Sequence, residues 1–414
     1  MANSFEYTDW LCDTSLDLLV NTLEISEAFN TDYNKEFTKA FPVGDTVRIP
    51  YPAKFQAVSG LGYQPQGIER IHTTATINQI IQVGFQWDSA EEALKLTRGR
   101  EKIQKEILGP AMAEMKQQIE SRCALWAYQN TNNIVGVLGT DPTTLTPSAA
   151  ARQRMMELAG TKGKKRLFIP PSVNTSLVPA FATYFQPADA IAKQYKEGTI
   201  GRAQNFDWSE SMSLYDHTSG VWASQTGVTV NGANQQGTSL IVACATGDTF
   251  KQGDVISIAS RYAVNPMTRR ITTRATTKQF VIQADTVGVG TAATLSILPG
   301  IVGPGSPYQN IDSLPTTGDV VTLFPGTTMV NATAKTGKQG LALGEDAFAL
   351  VGVRLENPTA CEMASYARDP VSGISVSFFR MMDPITRTMI NRFDCMIGFG
   401  NLYQDSYAVR YLGA

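Results

Sequence analysis

Ionic side chains are scarce in this 414-residue chain: Asp, Glu, Lys and Arg make up 17%, against roughly 25% in an ordinary soluble domain. The two signs nearly cancel, 35 Lys and Arg against 37 Asp and Glu, for a formal net charge of -2. That balance speaks against a dedicated nucleic-acid binder, which carries a basic domain. Histidine is rarer still. Only His72 and His217 are present, leaving little for general-base or metal chemistry. Cys12, Cys123, Cys244, Cys361 and Cys395 stand far apart with no C-x-x-C pair, so neither a disulfide framework nor a zinc site is expected. No apolar run approaches the roughly 18 residues of a membrane span. Met1 to Trp10 carries Glu6 and Asp9 and no cationic stretch before an apolar core, so no signal peptide is expected. The chain reads as soluble and intracellular where it is made.

What is present suits burial. Hydrophobic residues reach 43%, enough for substantial cores, and the length fits two or three domains of about 150 residues. A surface short of ions is one that adheres to other protein.

Glutamate maps the organisation. Fourteen of seventeen glutamates lie between Glu6 and Glu210, and the next is Glu345. The block between is crowded with Thr, Gly and Val, which favour strands and turns where Glu favours helices. It predicts an all-β region with strands at Gly227–Val230, Ser239–Cys244, Asp254–Ile258, Lys278–Ile282, Ala293–Ile297 and Val320–Leu323. Six short strands separated by Gly, Asn and Pro suggest a small sandwich or barrel over about 222–332. Phe250-Lys-Gln-Gly-Asp254 reads as a tight turn feeding a strand.

The N-terminal part differs. Leu16, Leu19, Leu23 and Phe29 have near-helical spacing. Thr46–Pro52 is a strand broken by two prolines; Lys54–Val58 and Ile71–Phe85 are extended segments flanking a Gly-rich tip, Ser59-Gly-Leu-Gly-Tyr63. This predicts a long hairpin with little apolar surface at its tip, and isolated hairpins are marginal in water. Ser89-Ala-Glu-Glu92 is a capping box. After it, Ile107, Leu108, Met112, Met115, Ile119, Cys123 and Trp126 mark one face of a helix over Ile103–Asn130, interrupted at Gly109-Pro110. Such a helix would span roughly 40 Å and act as a spine. Lys165–Pro170 followed by Ser172–Tyr184 reads strand–turn–helix, and Met381–Ala414 reads as strands closing a core.

Catalytic patterns are missing. There is no H-E-x-x-H and no G-x-x-x-x-G-K-[ST]. Gly160-Thr-Lys-Gly-Lys-Lys-Arg166 reads as a solvated loop before a strand, because a phosphate cradle must open a helix. Gly288-Val-Gly-Thr-Ala-Ala293 mimics a dinucleotide fingerprint but sits between strands, as a turn. His217 beside Asp216 could be a base and its orienter, yet no G-x-S-x-G elbow accompanies it; both histidines read as surface residues. Asn174-Thr-Ser176 and Asn331-Ala-Thr333 are chance glycosylation matches. One charge feature remains. Arg261, Arg269, Arg270, Arg274 and Lys278 lie between Asp254 and Asp285 with no carboxylate among them. Two readings stay open: a positive face that docks on an acidic neighbour or nucleic acid, or a solvated β-loop.

The order of these parts resembles a tailed-bacteriophage major capsid (coat) protein, of the short-tailed-phage branch with an inserted β-barrel domain. Gly44–Pro50 is similar to that family's entry to its extended loop. Glu91–Leu96 with Glu106–Pro110 is similar to its approach to the spine helix, and Gly198–Arg202 and Lys251–Asp254 to the lead-in and interior of the insertion. The resemblance implies an α+β fold, the tailed-phage capsid fold. Its parts would be an N-terminal arm at 1–45, an extended hairpin loop at 46–85 and a peripheral domain with the spine helix at 86–134. Axial and peripheral parts at 135–221 and 333–414 would be split by an inserted β-barrel at 222–332. It implies a non-enzymatic subunit that assembles with itself into hexamers and pentamers of an icosahedral shell around packaged double-stranded DNA. No cofactor and no metal are implied. Portal and scaffolding proteins would be partners, with a decoration protein optional; the DNA would be enclosed without sequence-specific binding, and no membrane is involved. Location would be the virion capsid, assembled in the host cytoplasm. Expected contacts are Arg269, Arg270, Arg274 and Lys278 between capsomers, and Lys54, Phe55, Leu61 and Tyr63 in a hairpin arm lying across a neighbouring subunit. Some relatives bridge capsomers through a long acidic loop, whose counterpart here, Asn231–Thr238, is short and uncharged. Others crosslink through a loop lysine; Lys54 is the only lysine in this hairpin. The alternative is an encapsulin-like cargo shell or another structural protein.

Overall fold

The structure is a computed structural model. It describes residues 12–19, 23–35, 46–55, 65, 67–68, 71–88, 107–160, 163–184, 201–224, 226–272, 276–324, 334–355, 363–369, 373–383, 385 and 388–412. The chain divides into two compact units, each mixing helix and strand, so the expected α+β class is met.

The first unit takes Met1–Pro50, His72–Cys123 and Phe348–Leu402. Its six-stranded sheet has the order Thr46–Pro50, His72–Asp88, Thr388–Asn401, Ser375–Asp383, Met363–Arg368, with Phe348–Val353 also on Thr388–Asn401. Strand alternation explains the burial: Ala75, Ile77 and Ile49 close on Ala349, Val351 and Leu402. Phe348-Ala-Leu-Val-Gly-Val353 is a continuous apolar run and is buried through Gly352, as a strand covered on both faces requires. The register between His72–Asp88 and Thr388–Asn401 slips at Ile77–Gln79. Gly398 faces that bulge; a Cβ there would fall 2.4 Å from the Thr76 carbonyl oxygen, so only glycine fits.

This corrects one expectation. His72–Asp88 is an internal strand of its own unit, so residues 46–85 do not as a whole form an arm without a home. The segment Tyr51–Ile71 groups with the second unit. Ile77 and Ile81 supply the apolar face, and their partner strand lies some 300 residues further along the chain.

Helix α1 is Gly109–Asn130, with a π-type turn at 107–108 before it. Gly109-Pro110 thus stands at the start of α1, where the sequence was expected to kink or restart the helix; proline costs nothing in the first turn, whose amides lack partners anyway. Residues 89–106, with the capping box, lie outside the described residues. Leu108, Met112, Met115, Ile119 and Cys123 are buried as the spacing predicts. Glu120, one position further round, is also buried. Its Oε1 accepts from Glu24 N (3.1 Å), Ser26 N (3.3 Å) and Ser26 Oγ (2.9 Å), and its Oε2 from Ile25 N (2.6 Å). The described part of the expected N-terminal arm is therefore docked on its own unit: 12–19 is helical, Cys12, Leu16, Leu19 and Phe29 are buried, and Asn30 bridges to Ala349.

The second unit takes Tyr51–Ile71, Ala124–Ala347 and Tyr403–Ala414. Its seven-stranded sheet has the order Ile134–Val135, Ala408–Leu412, Thr336–Gly344, Lys165–Ile169, Phe206–Glu210, Arg202–Ala203, with Asp216–Thr218 on the start of Thr336–Gly344. Helices α2 (Thr146–Glu157) and α3 (Pro171–Tyr184) contribute Ala151, Met155, Val173 and Leu177 to a core with Leu167, Ile169, Phe206, Trp208 and Tyr411. The expected single region 333–414 is divided: Phe348–Leu402 belongs to the first unit, and only its flanks return to the second.

Thr218 lies directly opposite Thr336, so the excursion between them starts and ends at one point. All six expected strands are there. They form one antiparallel sheet in the order Val321–Leu323, Val255–Tyr262, Thr277–Ile282, Ala292–Ile301, Gly237–Ala243, Thr229–Val230. The outermost strands meet as well: Thr229 bridges Val320, and Val230 N donates to Asp319 O at 2.8 Å. Within that ring Trp222, Leu240, Phe250, Ile256, Phe280, Leu295 and Leu323 belong to one buried cluster whose members all come from 222–323.

Candidate functional site

Two buried polar clusters tie the β excursion to the rest of the second unit. The first is built on the expected turn Phe250–Asp254. Gly253 has φ +91°, and a Cβ there would lie 2.4 Å from Tyr128 Oη, so glycine lets the turn approach the end of α1. Asp254 Oδ2 accepts from Lys251 N (2.8 Å) and Gly220 N (3.0 Å), and Oδ1 pairs with His217 Nε2 at 2.8 Å. His217 Nδ1 shares a hydrogen bond with Tyr128 Oη. Buried Arg410 donates to Gly253 O at 2.6 Å and lies 5.1 Å from the Tyr128 ring centroid. His217 is 5% exposed; it is not the surface residue expected, and its carboxylate partner is Asp254, not its neighbour Asp216. His72 is on the surface, as expected.

The second cluster surrounds Asp405 in the short helix α4 (Gln404–Tyr407). Lys278 Nζ donates to both its carboxylate oxygens, at 2.5 and 2.6 Å, and Asn132 Nδ2 donates to Oδ1 at 2.8 Å. Burial alone would raise the Asp405 carboxyl; Lys278, Asn132 and Arg154 outweigh it and hold the group below the usual carboxylate range. Burial pushes Lys278 down, against the pull of Asp405. Arg154, on α2, donates to Asn133 Oδ1 and Thr277 O, both at 3.1 Å.

Two of the four residues expected between capsomers keep that placement open, and one loses it. Lys278 is 1% exposed and spent on Asp405, so it leaves the positive face. A charge pattern read along the chain cannot see a partner 127 positions away. Arg270 is exposed and Arg269 half-buried; Arg274 lies outside the described residues. Arg261 is held by Asp319 at 2.7 Å. In the hairpin, Phe55 is 61% exposed. Lys54 is half-buried, its Nζ 5.3 Å from the Tyr308 ring centroid. Leu61 and Tyr63 lie outside the described residues. Lys54, Arg269 and Lys278, drawn from two separate expectations, come to one place: Lys54 feels Asp405, Arg269 and Lys278.

Neither cluster is set up for nucleophilic chemistry. Burial pushes the Tyr128 phenol up to about 12 and the Cys395 thiol to about 12, and raises Cys123 and Cys244 as well. A reactive thiol needs the opposite shift. Among the described residues no group of three or more His, Cys, Asp or Glu could hold a metal. Lys165 and Arg166 of the Gly160–Arg166 motif lie in the strand Lys165–Ile169 and open no helix, and Gly290, at φ +67°, turns between strands. No described helix is long and apolar enough to cross a membrane.

No family model and no curated protein matches the chain. Solved structures are similar to it at low identity. A chain of Mycobacterium phage Che8 is 11% identical over 94% of this chain and 91% of that one, at TM-score 0.46. The capsid of Ralstonia phage GP4 is 8% identical over 94% and 88%, also at 0.46. The bacteriophage PhiM1 mature capsid is 8% identical over 95% and 87%, at 0.44.

Sequence reasoning missed Asp405, Arg154, Tyr128 and Arg410. One signal was available: Asp405 is one of only three acidic residues after Met381, and an isolated carboxylate in an apolar stretch asks for a buried cation.

Proposed function

We propose that the chain is a structural shell subunit, a tailed-phage major capsid protein. The observation that carries this is the order of parts: a short strand pair whose second strand runs on to Asp88, a spine helix, and a sheet interrupted at Thr218/Thr336 by an excursion with its own core. Residues 222–332 are then an inserted β-barrel domain, and the same order of parts underlies the resemblance in the sequence. The similar GP4 and PhiM1 structures are phage capsids. A surface with few ions suits repeated contacts between copies, each of roughly 800 Å² per partner. Closed symmetry would sum many modest contacts into hexamers, pentamers and an icosahedral shell around double-stranded DNA. Near-neutral charge keeps such a wall from adsorbing its contents. Portal and scaffolding proteins are the proposed partners, and the host cytoplasm the place of assembly. The role needs no catalysis. Between copies, the segment carrying Phe55, Leu61 and Tyr63 reaches a neighbour, and Arg270, with Arg274, meets acidic groups.

Electron microscopy of the purified full-length chain, expressed with and without a scaffolding protein, tests this. Closed shells built of hexamers and pentamers are expected. A uniformly monomeric product under both conditions rejects the proposal; closed shells that never admit a portal point to a cargo shell.

A further inference from the structure

The cluster around Asp405 has more positive charge than its own residues balance. Lys54, Arg154, Arg269 and Lys278 are four cations; among the described residues, the carboxylates acting on Lys54, Arg154 and Lys278 are Asp405 and Glu157. Lys278 consumes Asp405 by donating to both its oxygens. Arg154 is 5% exposed, and its Nη1 has no partner although Nε and Nη2 do. The Nε of Arg269 is buried and likewise unpartnered. The turn carrying Arg269 is fixed beside Arg154, since Asn265 Nδ2 donates to Glu157 O at 2.6 Å and Arg269 N donates to Asn265 O at 2.8 Å. Arg269 holds φ +54°, a costly backbone for a side chain of that size. Buried guanidinium donors without acceptors are expensive, and charge-assisted bonds to an oxoanion relieve that cost.

We propose that Lys54, Arg154 and Arg269, with Lys278 behind them, bind a phosphate-class oxoanion. The planar forks of Arg154 and Arg269 suit two oxygens of a tetrahedral anion, and Lys54 closes the site from the hairpin segment. A bound anion would thus pin the entry to that segment onto α2 and the turn after Tyr262.

The test uses the full chain and inorganic phosphate replacing chloride at constant ionic strength, followed by titration calorimetry and thermal melting. Saturable binding with a rise in Tm is expected. Lys54→Met, which keeps the aliphatic stem, and Arg269→Asn, which tolerates positive φ, should each bind about tenfold more weakly, the equivalent of losing about 1.4 kcal/mol. Phosphate also stabilises proteins by exclusion from their surface, but that effect would survive both substitutions. Stabilisation equal in wild type and variants, or absent altogether, overturns the proposal. So does stabilisation that follows protein concentration and ignores phosphate, because a carboxylate from a second copy would then fill the site. If Arg269→Asn fails to fold, Lys54→Met, at a half-exposed position, carries the comparison alone.

Discussion

Glu120 is a single carboxylate that satisfies three backbone amides and one hydroxyl of the segment 24–26. Glu120→Ala leaves those donors buried without an acceptor and should cost about 3 kcal/mol in urea unfolding. Glu120→Gln, which retains one oxygen, should cost less. The Lys278–Asp405 pair obeys a different rule. Asp405→Asn strands a buried ammonium and should destabilise by about 3–5 kcal/mol, whereas Lys278→Met combined with Asp405→Leu should recover most of that loss. A double variant no more stable than Asp405→Asn would show that the pair is worth more than its desolvation. None of these pairings was legible. Residue type and spacing show that a charge is present, but the partner of Lys278 comes from another element.

At the scale of elements, the β excursion was readable because its strands pair within about 110 residues and turn residues separate them. Its sheet order and its ties to Tyr128, Arg410 and Asp405 were not. The first unit was harder. The alternation of Ile71–Phe85 predicts a strand, but its sheet neighbour is Thr388–Asn401, which local pattern cannot select. Two measurements follow. Hydrogen exchange on the unassembled subunit should find the amides of His72–Asp88 protected, with new protection on assembly confined to residues 51–71; slow exchange gained across 72–88 only in shells would contradict the pairing. Expressed alone, residues 219–335 should melt cooperatively on their own core, at a lower temperature than in the full chain because Lys278 and Gly253 lose their partners. A gradual melt would reject the closed ring of strands.

For the whole molecule, acid is the revealing condition. Burial tends to raise the Asp319 carboxyl, and Thr316 and Arg261 reverse this; Lys251 and the Gln252 amide hold Asp285 down; Asp405 is held down by Lys278 against its burial. All three therefore have folded values below the 3.8 of a free carboxyl. A depressed carboxyl contributes stability above its unfolded value and loses it as pH falls through the folded one. The second unit should thus keep its stability at pH 5 and lose it progressively below about pH 4, read by circular dichroism. A melting temperature unchanged between pH 5 and pH 3 would show that these pairs contribute nothing. Arg270→Glu belongs to the same scale. It should leave the subunit folded but give salt-sensitive assembly, since exposed pairs are screened beyond about 10 Å at 0.1 M; normal shells at low salt would return Arg270 to a solvated loop.

The pairing of His72–Asp88 with Thr388–Asn401 also sets a timetable. Roughly 300 residues separate the two strands, and at about 5–20 residues per second a ribosome needs some 15–60 s to supply the second after the first. Throughout that interval a 17-residue strand has emerged with one long edge unclaimed, while the strands of the intervening β excursion have one another as partners. Chains growing side by side on one message expose the same edge at the same time, and a like strand from a neighbour is the nearest substitute. Yield of native subunit should therefore fall with expression rate well before the finished protein reaches its solubility limit, and slowing translation downstream of Asp88 should make that worse.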